Sequence, residues 1–379
     1  MTLDADVVVV GGGPVGSALA LMTARSGFRT ILLDRKLFPR DKACGEGLMP
    51  AGARVVEELD ICLDSFPAIL GVTYQLVGSG RVEGTFGAGP SGRGVRRIRF
   101  DHLLMGSAAS EPGVDVLLGC EAKGATRVDS AVVVSTTQGP LRTRHLVGAD
   151  GQRSQVASWM GWARAPRPPF RYALAGHLQM PDHGIDRVVV TLHDGCETYL
   201  APVAPDELLF ALLGPKSALR GAHESVRASY LRRLADAHPE LSSAHLGSIN
   251  GAGPFCTRPA LVAGDRVFLV GDAAGFVDPL TGDGMSAGLV AAKRLAYMLA
   301  QRGPRPEADY RHWERTQWRR RLWMGRLALT LTTSPGAARR AMRGLMKRPQ
   351  TLDRLLEVNQ GSRSLAAVSI RDWVALGGI

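Results

Sequence analysis

The chain has 379 residues, of which 45% are hydrophobic and 21% are charged, so it is long enough to hold two or three hydrophobic cores. No apolar stretch reaches the roughly 20 residues of a membrane-spanning helix, the first residues lack the basic segment of a signal peptide, and the five scattered cysteines form no CxxC pair. These features predict a cytoplasmic globular protein without a disulfide framework or a bound metal. The formal charge of +11 predicts attraction to anionic partners, but no recognition motif accompanies it, so nucleic acid is not an expected ligand.

The N-terminal segment has the pattern of a strand, a glycine turn, a helix and a second strand. Residues 6–10 are a β-branched apolar run typical of a buried parallel strand. The turn at residues 11–16 reads Gly-Gly-Gly-Pro-Val-Gly, residues 15–26 have helical spacing, and residues 30–33 predict a strand that ends at Asp34. The whole unit has about the 30 residues of a βαβ motif.

The following part of the chain mixes predicted helices and strands. Residues 53–63 and 100–110 have helical spacing, and the glycine-dense residues 71–94 predict short antiparallel strands. Four runs that lead to the Gly-Ala-Asp-Gly segment at residues 148–151 predict strands: residues 114–118, 124–129, 131–136 and 141–148.

The pattern changes after residue 170. Strand-like runs separated by Pro, Gly and Asp turns predict an antiparallel sheet: residues 171–180, 187–193, 197–203 and 207–213. A helix is predicted over residues 223–238, a buried strand over 267–271, a long helix over 286–301 and basic helical structure over 307–347. The second domain is therefore predicted to be inserted in the first. The predicted divisions are 1–65, 95–165 and 255–303 for a nucleotide-binding domain, 66–94 and 166–254 for a substrate domain, and 304–379 for a C-terminal helical region.

The first glycine turn suits a dinucleotide. The glycines of residues 11–16 let a pyrophosphate approach the backbone, and the helix that follows offers free N–H groups and partial positive charge. Asp34 ends the second strand, where a carboxylate accepts hydrogen bonds from ribose hydroxyls.

A second strand-to-helix turn begins at residue 271. Asp272 can hold ribityl hydroxyls, and Gly282, Gly284 and Met285 would bring helix N-terminal amides to the anionic edge of a reduced flavin. The alternative for Asp272 is a helix cap.

Two further residues fit the same ligand but have equally good structural interpretations. Arg97 begins a helix and can meet the flavin diphosphate or ribityl chain, or it is a surface cation. Asp150 precedes Gly151, and an Asp-Gly pair is also a common turn. In their order and spacing, the segments at residues 11–16, 148–151 and 271–285 together predict FAD.

These segments resemble the FAD-dependent monooxygenase and geranylgeranyl-reductase superfamily, which shares the para-hydroxybenzoate hydroxylase fold, over residues 3–300. The resemblance implies an α/β protein. Its Rossmann-like FAD-binding domain would be interrupted by a substrate domain with an antiparallel β-sheet and followed by a C-terminal helical segment. It also implies NADPH or NADH as reductant, without a second nucleotide domain.

Details of two motifs are closer to the geranylgeranyl-reductase and bacterial natural-product oxidoreductase branch. Residue 275 is Gly where many hydroxylases carry His, and residues 42–47 (Lys-Ala-Cys-Gly-Glu-Gly) look like the cysteine-glycine loop that this branch places over the flavin. Residues 196–202 lie where prenyl reductases carry an aromatic-rich motif, but only Tyr199 is aromatic, which argues against a long isoprenoid substrate. The Trp-x-Trp-x-Ile signature of flavin halogenases is absent, so halogenation ranks low.

The predicted FAD-binding residues are Gly11, Gly13, Pro14, Val15, Gly16, Asp34, Arg35, Cys44, Gly45, Arg97, Asp150, Gly151, Gly271, Asp272, Pro279, Gly282, Gly284 and Met285. Three catalytic candidates are each weighed against a structural role. Cys44 is a thiol near the flavin or a small packing residue. His177, like His193, is a general base toward a phenol or a satisfied strand histidine. Tyr199 orients a substrate or packs in the sheet.

We predict an FAD-dependent monooxygenase that uses NAD(P)H and O2. It would hydroxylate or epoxidise an aromatic or polyketide-like secondary metabolite, as in antibiotic biosynthesis, through a flavin C4a-hydroperoxide. The alternative is a geranylgeranyl-reductase-like enzyme that reduces carbon–carbon double bonds in a narrow apolar cavity. A non-catalytic flavoprotein or basic adaptor is a third possibility. Residues 311–348 carry the basic excess, which predicts weak contact with a membrane surface or an acidic carrier protein, or else a solvated helical lid.

Overall fold

The computed structural model describes residues 2–87, 89–193, 195–220 and 224–377. The strands in these residues are β1 (Ala5–Val10), β2 (Thr30–Asp34), β3 (Gly47–Leu48), β4 (Ala68–Ile69), β5 (Gly71–Leu76), β6 (Gly80–Thr85), β7 (Gly92–Gly94), β8 (Val114–Leu118), β9 (Ala122–Val128), β10 (Ala131–Thr136), β11 (Gly139–Gly148), β12 (Tyr172–Gln179), β13 (Val188–His193), β14 (Cys196–Ala204), β15 (Glu207–Gly214), β16 (His245–Ala252), β17 (Ala263–Gly264) and β18 (Val267–Leu269). The helices are α1 (Pro14–Arg25), α2 (Pro50–Glu57), α3 (Arg97–Ala109), α4 (Gln155–Trp159), α5 (Lys216–Leu219), α6 (Val226–Ala237), α7 (Gly284–Ala300), α8 (Pro306–Thr333), α9 (Pro335–Lys347), α10 (Gln350–Gln360) and α11 (Ile370–Ala375).

The first sheet forms the predicted Rossmann-like core. Its order is β17-β18-β11-β1-β2-β8, and β18, β11, β1, β2 and β8 run parallel. The β9–β10 hairpin is added to β11 on the same sheet. Strands β1, β11 and β18 end side by side, so the segments after them meet at one edge of the sheet, where ligands of such folds bind.

The turn between β1 and α1 depends on glycine. Gly11 has a φ of 109°, in the region that favours glycine, and a Cβ atom at Gly16 would lie 1.8 Å from the carbonyl oxygen of Gly11. Helix α1 begins with Pro14 after Gly13, and no side chain caps its first turn. Its first N–H groups therefore remain free for a ligand.

The second sheet is the predicted antiparallel one. Its order is β16-β12-β15-β14-β13-β5-β6, and its pairs are antiparallel except for β13 with β5. The β5–β6 hairpin thus joins this sheet from an early part of the chain. Strands β14 and β15 are buried along their whole length. The predicted fold class is confirmed.

The C-terminal helices pack on both sheets. Tyr310 of α8 donates a hydrogen bond to the carbonyl oxygen of Leu269 (2.9 Å), beside the first sheet. Asp353 of α10 accepts one from the backbone N–H of Thr85 (2.7 Å), at the end of β6. The C-terminal region is therefore attached to both domains.

Several predicted boundaries are wrong. The helix predicted over 53–63 spans Pro50–Glu57, because Pro50 is well suited to a first helical position. The strand predicted over 267–271 ends at Leu269, and a 3-10 turn follows at Gly271–Ala274. The helical structure predicted over 307–347 is present and consists of two helices, because Pro335 cannot continue α8 and begins α9 instead.

The helix predicted over 223–238 corresponds to Val226–Ala237, and its first predicted residue, His223, lies outside the described residues. Strand β16 and helices α4 and α5 have no counterpart in the predicted elements, whereas α10 and α11 lie in the predicted C-terminal helical region, 304–379. Among the described residues, no helix combines the length and apolar character needed to cross a membrane.

Candidate active site

A cavity of about 1220 Å³ lies at the edge where β1, β11 and β18 end, under the second sheet. Thirteen of the predicted FAD-binding residues line it: Gly13, Pro14, Val15, Cys44, Gly45, Arg97, Gly151, Gly271, Asp272, Pro279, Gly282, Gly284 and Met285. Segments far apart in the sequence therefore meet around one space. We call it the flavin cavity.

Five predicted FAD-binding residues do not line the flavin cavity: Gly11, Gly16, Asp34, Arg35 and Asp150. Gly11 and Gly16 pack against each other and shape the turn. Asp34 is buried and accepts a hydrogen bond from the backbone N–H of Gly12 (2.8 Å), so it fixes that turn from behind. Arg35 is exposed, and its contact with a cofactor stays a prediction.

Asp150 acts on the chain itself. One carboxylate oxygen accepts hydrogen bonds from the N–H groups of Gln155 (2.6 Å) and Val156 (3.2 Å), at the start of α4. Burial raises the pKa of Asp150. Asp150 therefore has the contacts of a turn residue that also binds the start of a helix, which was the structural alternative to FAD binding.

Arg97 lies in the cavity wall and is fixed by an acid that sequence analysis missed. Its Nε and Nη2 atoms donate to the two oxygens of fully buried Asp101 at 2.6 and 2.7 Å, and Arg40 contacts the same carboxylate at 3.3 Å. Burial opposes the charge of Arg97, but Asp101 raises its pKa above the usual value. This pair could be predicted from the sequence, because residues four apart on a helix lie on the same face and an arginine and an acid there attract each other.

Asp272 is a carboxylate that faces the flavin cavity from its far side. Burial raises the pKa of this side chain, opposed by the positive charges of Lys42 and Arg97. A buried carboxylate favours donor groups such as ligand hydroxyls. Three features thus match parts of FAD. The uncapped start of α1 suits the diphosphate, the turn from Gly282 to Met285 suits the flavin edge, and Asp272 suits the ribityl chain. The residues present therefore fit this cofactor.

The loop at residues 42–47 covers the flavin cavity and is held by Glu46, which sequence analysis did not select. Glu46 is fully buried, and its φ of 54° is uncommon for a non-glycine residue. One carboxylate oxygen accepts from the backbone N–H of Arg97 (2.9 Å) and from Arg96 (3.2 Å), and the other contacts His177 Nε2 (2.8 Å). A single carboxylate therefore connects α3 to the second sheet beside the cavity.

The three catalytic candidates occupy different positions. Cys44 lines the flavin cavity, and its sulfur accepts a hydrogen bond from the backbone N–H of Glu46. His177 lies behind Glu46 and is not a lining residue, whereas His193 contacts Thr198 (3.3 Å).

Tyr199 lies at the boundary of the flavin cavity. Its buried hydroxyl has no hydrogen-bond partner among the described residues, and burial raises its pKa above the usual value. A Cβ atom at Gly47 would lie 2.8 Å from this hydroxyl, so glycine is required for the close approach of loop and sheet.

A second cavity of about 1070 Å³ adjoins the first. Its walls come from β5, β13 and β14 and from α8, α9 and α10. Among the described residues that line it, none is charged, and the polar side chains are Tyr74, Tyr199, Thr281, Asn359 and Gln360. Tyr199 and Gly282 line both spaces. We call this second space the apolar cavity.

The parallel sheet, its glycine turn and the flavin cavity define a protein that can hold FAD, and similar proteins place it among the FAD-dependent oxidoreductases. Menaquinone reductase of Mycobacterium tuberculosis is 30% identical over 329 residues, which cover 80% of this chain and 78% of that protein. Digeranylgeranylglycerophospholipid reductase 1 of Methanothermobacter thermautotrophicus is 28% identical over 325 residues, 76% of this chain and 75% of that protein.

A flavoprotein/dehydrogenase structure from Cytophaga hutchinsonii has the same fold, with a TM-score of 0.83 over 98% of both chains at 18% identity. The sequence matches no family model. The chain belongs to the FAD-dependent monooxygenase and geranylgeranyl-reductase superfamily, as the sequence predicts, and is an enzyme.

Proposed function

We propose that this enzyme reduces a carbon–carbon double bond in a long apolar molecule. The observation that carries the proposal is the apolar cavity, which meets the flavin cavity at Tyr199 and Gly282. A polyene or isoprenoid chain suits a space without charged walls, because every polar group of a more polar substrate would need a partner there.

Reduced FAD, held by Arg97, Asp272 and the start of α1, would supply the hydride for the double bond. The protein residues have three further tasks. Arg97, Asp272 and the start of α1 bind and orient the cofactor. The leucine, valine and methionine walls of the apolar cavity exclude water and align the chain. Tyr199 holds a proton on its hydroxyl at the junction, where the second carbon must receive one.

The relatives support the reductive reaction over the oxygenation that ranked first from the sequence. The two curated relatives are, by their names, reductases of menaquinone and of a digeranylgeranylglycerophospholipid, both with long apolar parts. The low aromatic content of residues 196–202 argued against an isoprenoid substrate. The walls of the apolar cavity are nevertheless apolar, because other strands and helices contribute aliphatic side chains to them. Oxygenation and the use of NAD(P)H stay predictions.

The test compares products under anaerobic and aerobic conditions. The FAD-loaded enzyme is reduced with NADH, NADPH or dithionite and mixed with geranylgeraniol, with an isoprenoid quinone, or with a panel of phenols. We expect a product that gains two hydrogens at a double bond of its isoprenoid chain without oxygen present; conversion of the quinone ring to a quinol does not count as this product. A product that gains one oxygen atom, formed only in air, would contradict the proposal and establish the monooxygenase.

A further inference from the structure

We propose that the outer face of α9, together with α11, docks on an anionic lipid bilayer. The C-terminal residues 304–379 contain fifteen Arg and Lys and six Asp and Glu, so they hold most of the net charge of +11. The excess is strongest in residues 335–348, which contain five basic residues and no acidic one.

The cations of α9 form a stripe. Arg339, Arg343 and Lys347 recur every four residues and are exposed, and Arg340 is exposed beside them. None of these four side chains has an ion-pair partner in the described parts of the chain. Three other arginines of the C-terminal region do have such partners: Arg321 pairs with Glu314, Arg354 with buried Asp372, and Arg363 with Glu357. The stripe therefore presents uncompensated charge.

Apolar side chains flank this stripe on two sides. Helix α11 packs on α9 at Gly344, where a Cβ atom would lie 1.6 Å from the carbonyl oxygen of Ala375, and it exposes Ile370 (82%) and Val374 (68%). On the other side, Met346 (48% exposed) contacts the β5–β6 turn at Gly80, next to exposed Val77.

A cationic stripe between exposed aliphatic side chains matches the headgroup region of an anionic bilayer. Lysine and arginine attract anionic headgroups, and the aliphatic side chains enter the boundary between headgroups and acyl chains. A nucleic acid or an acidic protein would account for the cations but would leave Ile370 and Val374 without a role. The flanking apolar residues therefore favour a lipid surface.

The position of α9 relates this face to the apolar cavity. Ala338, Ala341, Met342 and Leu345 on its inner face line that cavity, so one helix separates the cavity from the proposed membrane. That a lipid substrate enters there from the bilayer rests on the proposed function, whereas docking itself does not.

Vesicle binding tests the docking without turnover. The FAD-loaded protein is centrifuged with phosphatidylcholine vesicles, with or without phosphatidylglycerol, at about 100 mM salt, where exposed charges are screened beyond about 10 Å. We expect binding to the anionic vesicles only. The variant Arg339→Gln/Arg343→Gln/Lys347→Gln should bind roughly 100-fold more weakly. The matched control Arg99→Gln/Lys123→Gln/Arg220→Gln removes three exposed cations elsewhere and should retain binding.

The apolar residues are tested separately. Ile370→Ser/Val374→Ser should weaken vesicle binding several-fold and abolish a fluorescence change of nearby Trp373, which lies on α11 between them. Unchanged binding by this variant, equal losses in the two charge variants, no vesicle binding, or tighter binding to duplex DNA than to vesicles would each overturn the proposal.

Substrate entry is measured with a polyene presented in vesicles or in detergent micelles. The charge variant should lose activity with vesicles only. Equal activity of the variant in both media would overturn entry from the bilayer. If no polyene is reduced in either medium, the proposed function fails while the vesicle-binding result stands.

Discussion

The flavin cavity and the apolar cavity share a tyrosine but are built in different ways. The flavin cavity is formed by turns that follow parallel strands, and glycines and buried acids fix its shape. The apolar cavity is formed by the sides of strands and helices whose residues lie from position 49 to position 376. The first should therefore respond sharply to single changes in backbone geometry, and the second should tolerate exchanges among aliphatic side chains of similar volume.

The largest expected effect is a loss of stability when Arg171, a buried cation near both cavities, is replaced. Arg171 is buried and pairs with Glu197 of β14 and with Asp278 (2.8 Å), just before the turn that lines both spaces. Arg171→Met leaves two buried carboxylates without their cation, so it should lower the free energy of unfolding by about 3–5 kcal/mol. Urea denaturation measures the loss.

The control for this variant is Arg232→Ala. It removes a pair with Glu224 in which both side chains are more than a third exposed, and it should leave the free energy of unfolding almost unchanged. Adding Glu197→Gln and Asp278→Asn to Arg171→Met should restore much of the stability. Equal losses of stability in Arg171→Met and Arg232→Ala would show that the buried ion pairs of Arg171 do not stabilise the region between the two cavities.

The next effect is a loss of FAD affinity, which depends on the flavin cavity and not on the apolar cavity. Gly16→Ala puts a methyl group 1.8 Å from a backbone oxygen of Gly11, so the turn must shift and FAD affinity should fall roughly 100-fold, which corresponds to about 2.7 kcal/mol. Flavin absorbance after equilibrium dialysis measures this. Gly106→Ala on α3, where nothing lies within 4 Å, is the matched control and should leave affinity unchanged. Comparable losses in both variants would contradict the structural role of the turn.

A smaller effect is expected at the junction. Tyr199→Phe removes the only polar atom of that side chain and should slow substrate reduction roughly 10- to 100-fold, because general acid catalysis contributes at least this much. FAD affinity and reduction of the flavin by dithionite should stay within about twofold, since the ring still fills its place. Unchanged turnover would assign Tyr199 to packing alone.

The smallest effect, taken per pH unit, is a pH dependence of stability. Burial raises the pKa of Glu197 to about 7, opposed by Arg171, against an unfolded value near 4.3. Between these two pH values the folded state therefore holds a proton on Glu197 that the unfolded state has released. The free energy of unfolding should then fall by about 1 kcal/mol per pH unit as the pH rises through this window. Urea midpoints at several pH values should show this slope, and Glu197→Gln should remove it. An identical slope in this variant would assign the dependence to another group.

The sequence predicted the two sheets and thirteen of the residues that line the flavin cavity because the relevant signals are local. The glycine turn at residues 11–16 and the strand pattern around β14 each lie within one short segment. The contacts of Glu46 and the residues that line the apolar cavity could not be predicted, because they depend on distant partners such as His177 and on how the C-terminal helices pack. The break at Pro335 was predictable in principle, since proline rarely continues a helix.

The hydrogen bond between Glu46 and His177 joins the walls of the two cavities. Residues 42–47 line the flavin cavity, and the carboxylate of Glu46 connects them to His177 on the second sheet, whose strands β5, β13 and β14 also line the apolar cavity. A shift of that sheet on filling the apolar cavity would therefore reach the loop beside the cofactor site.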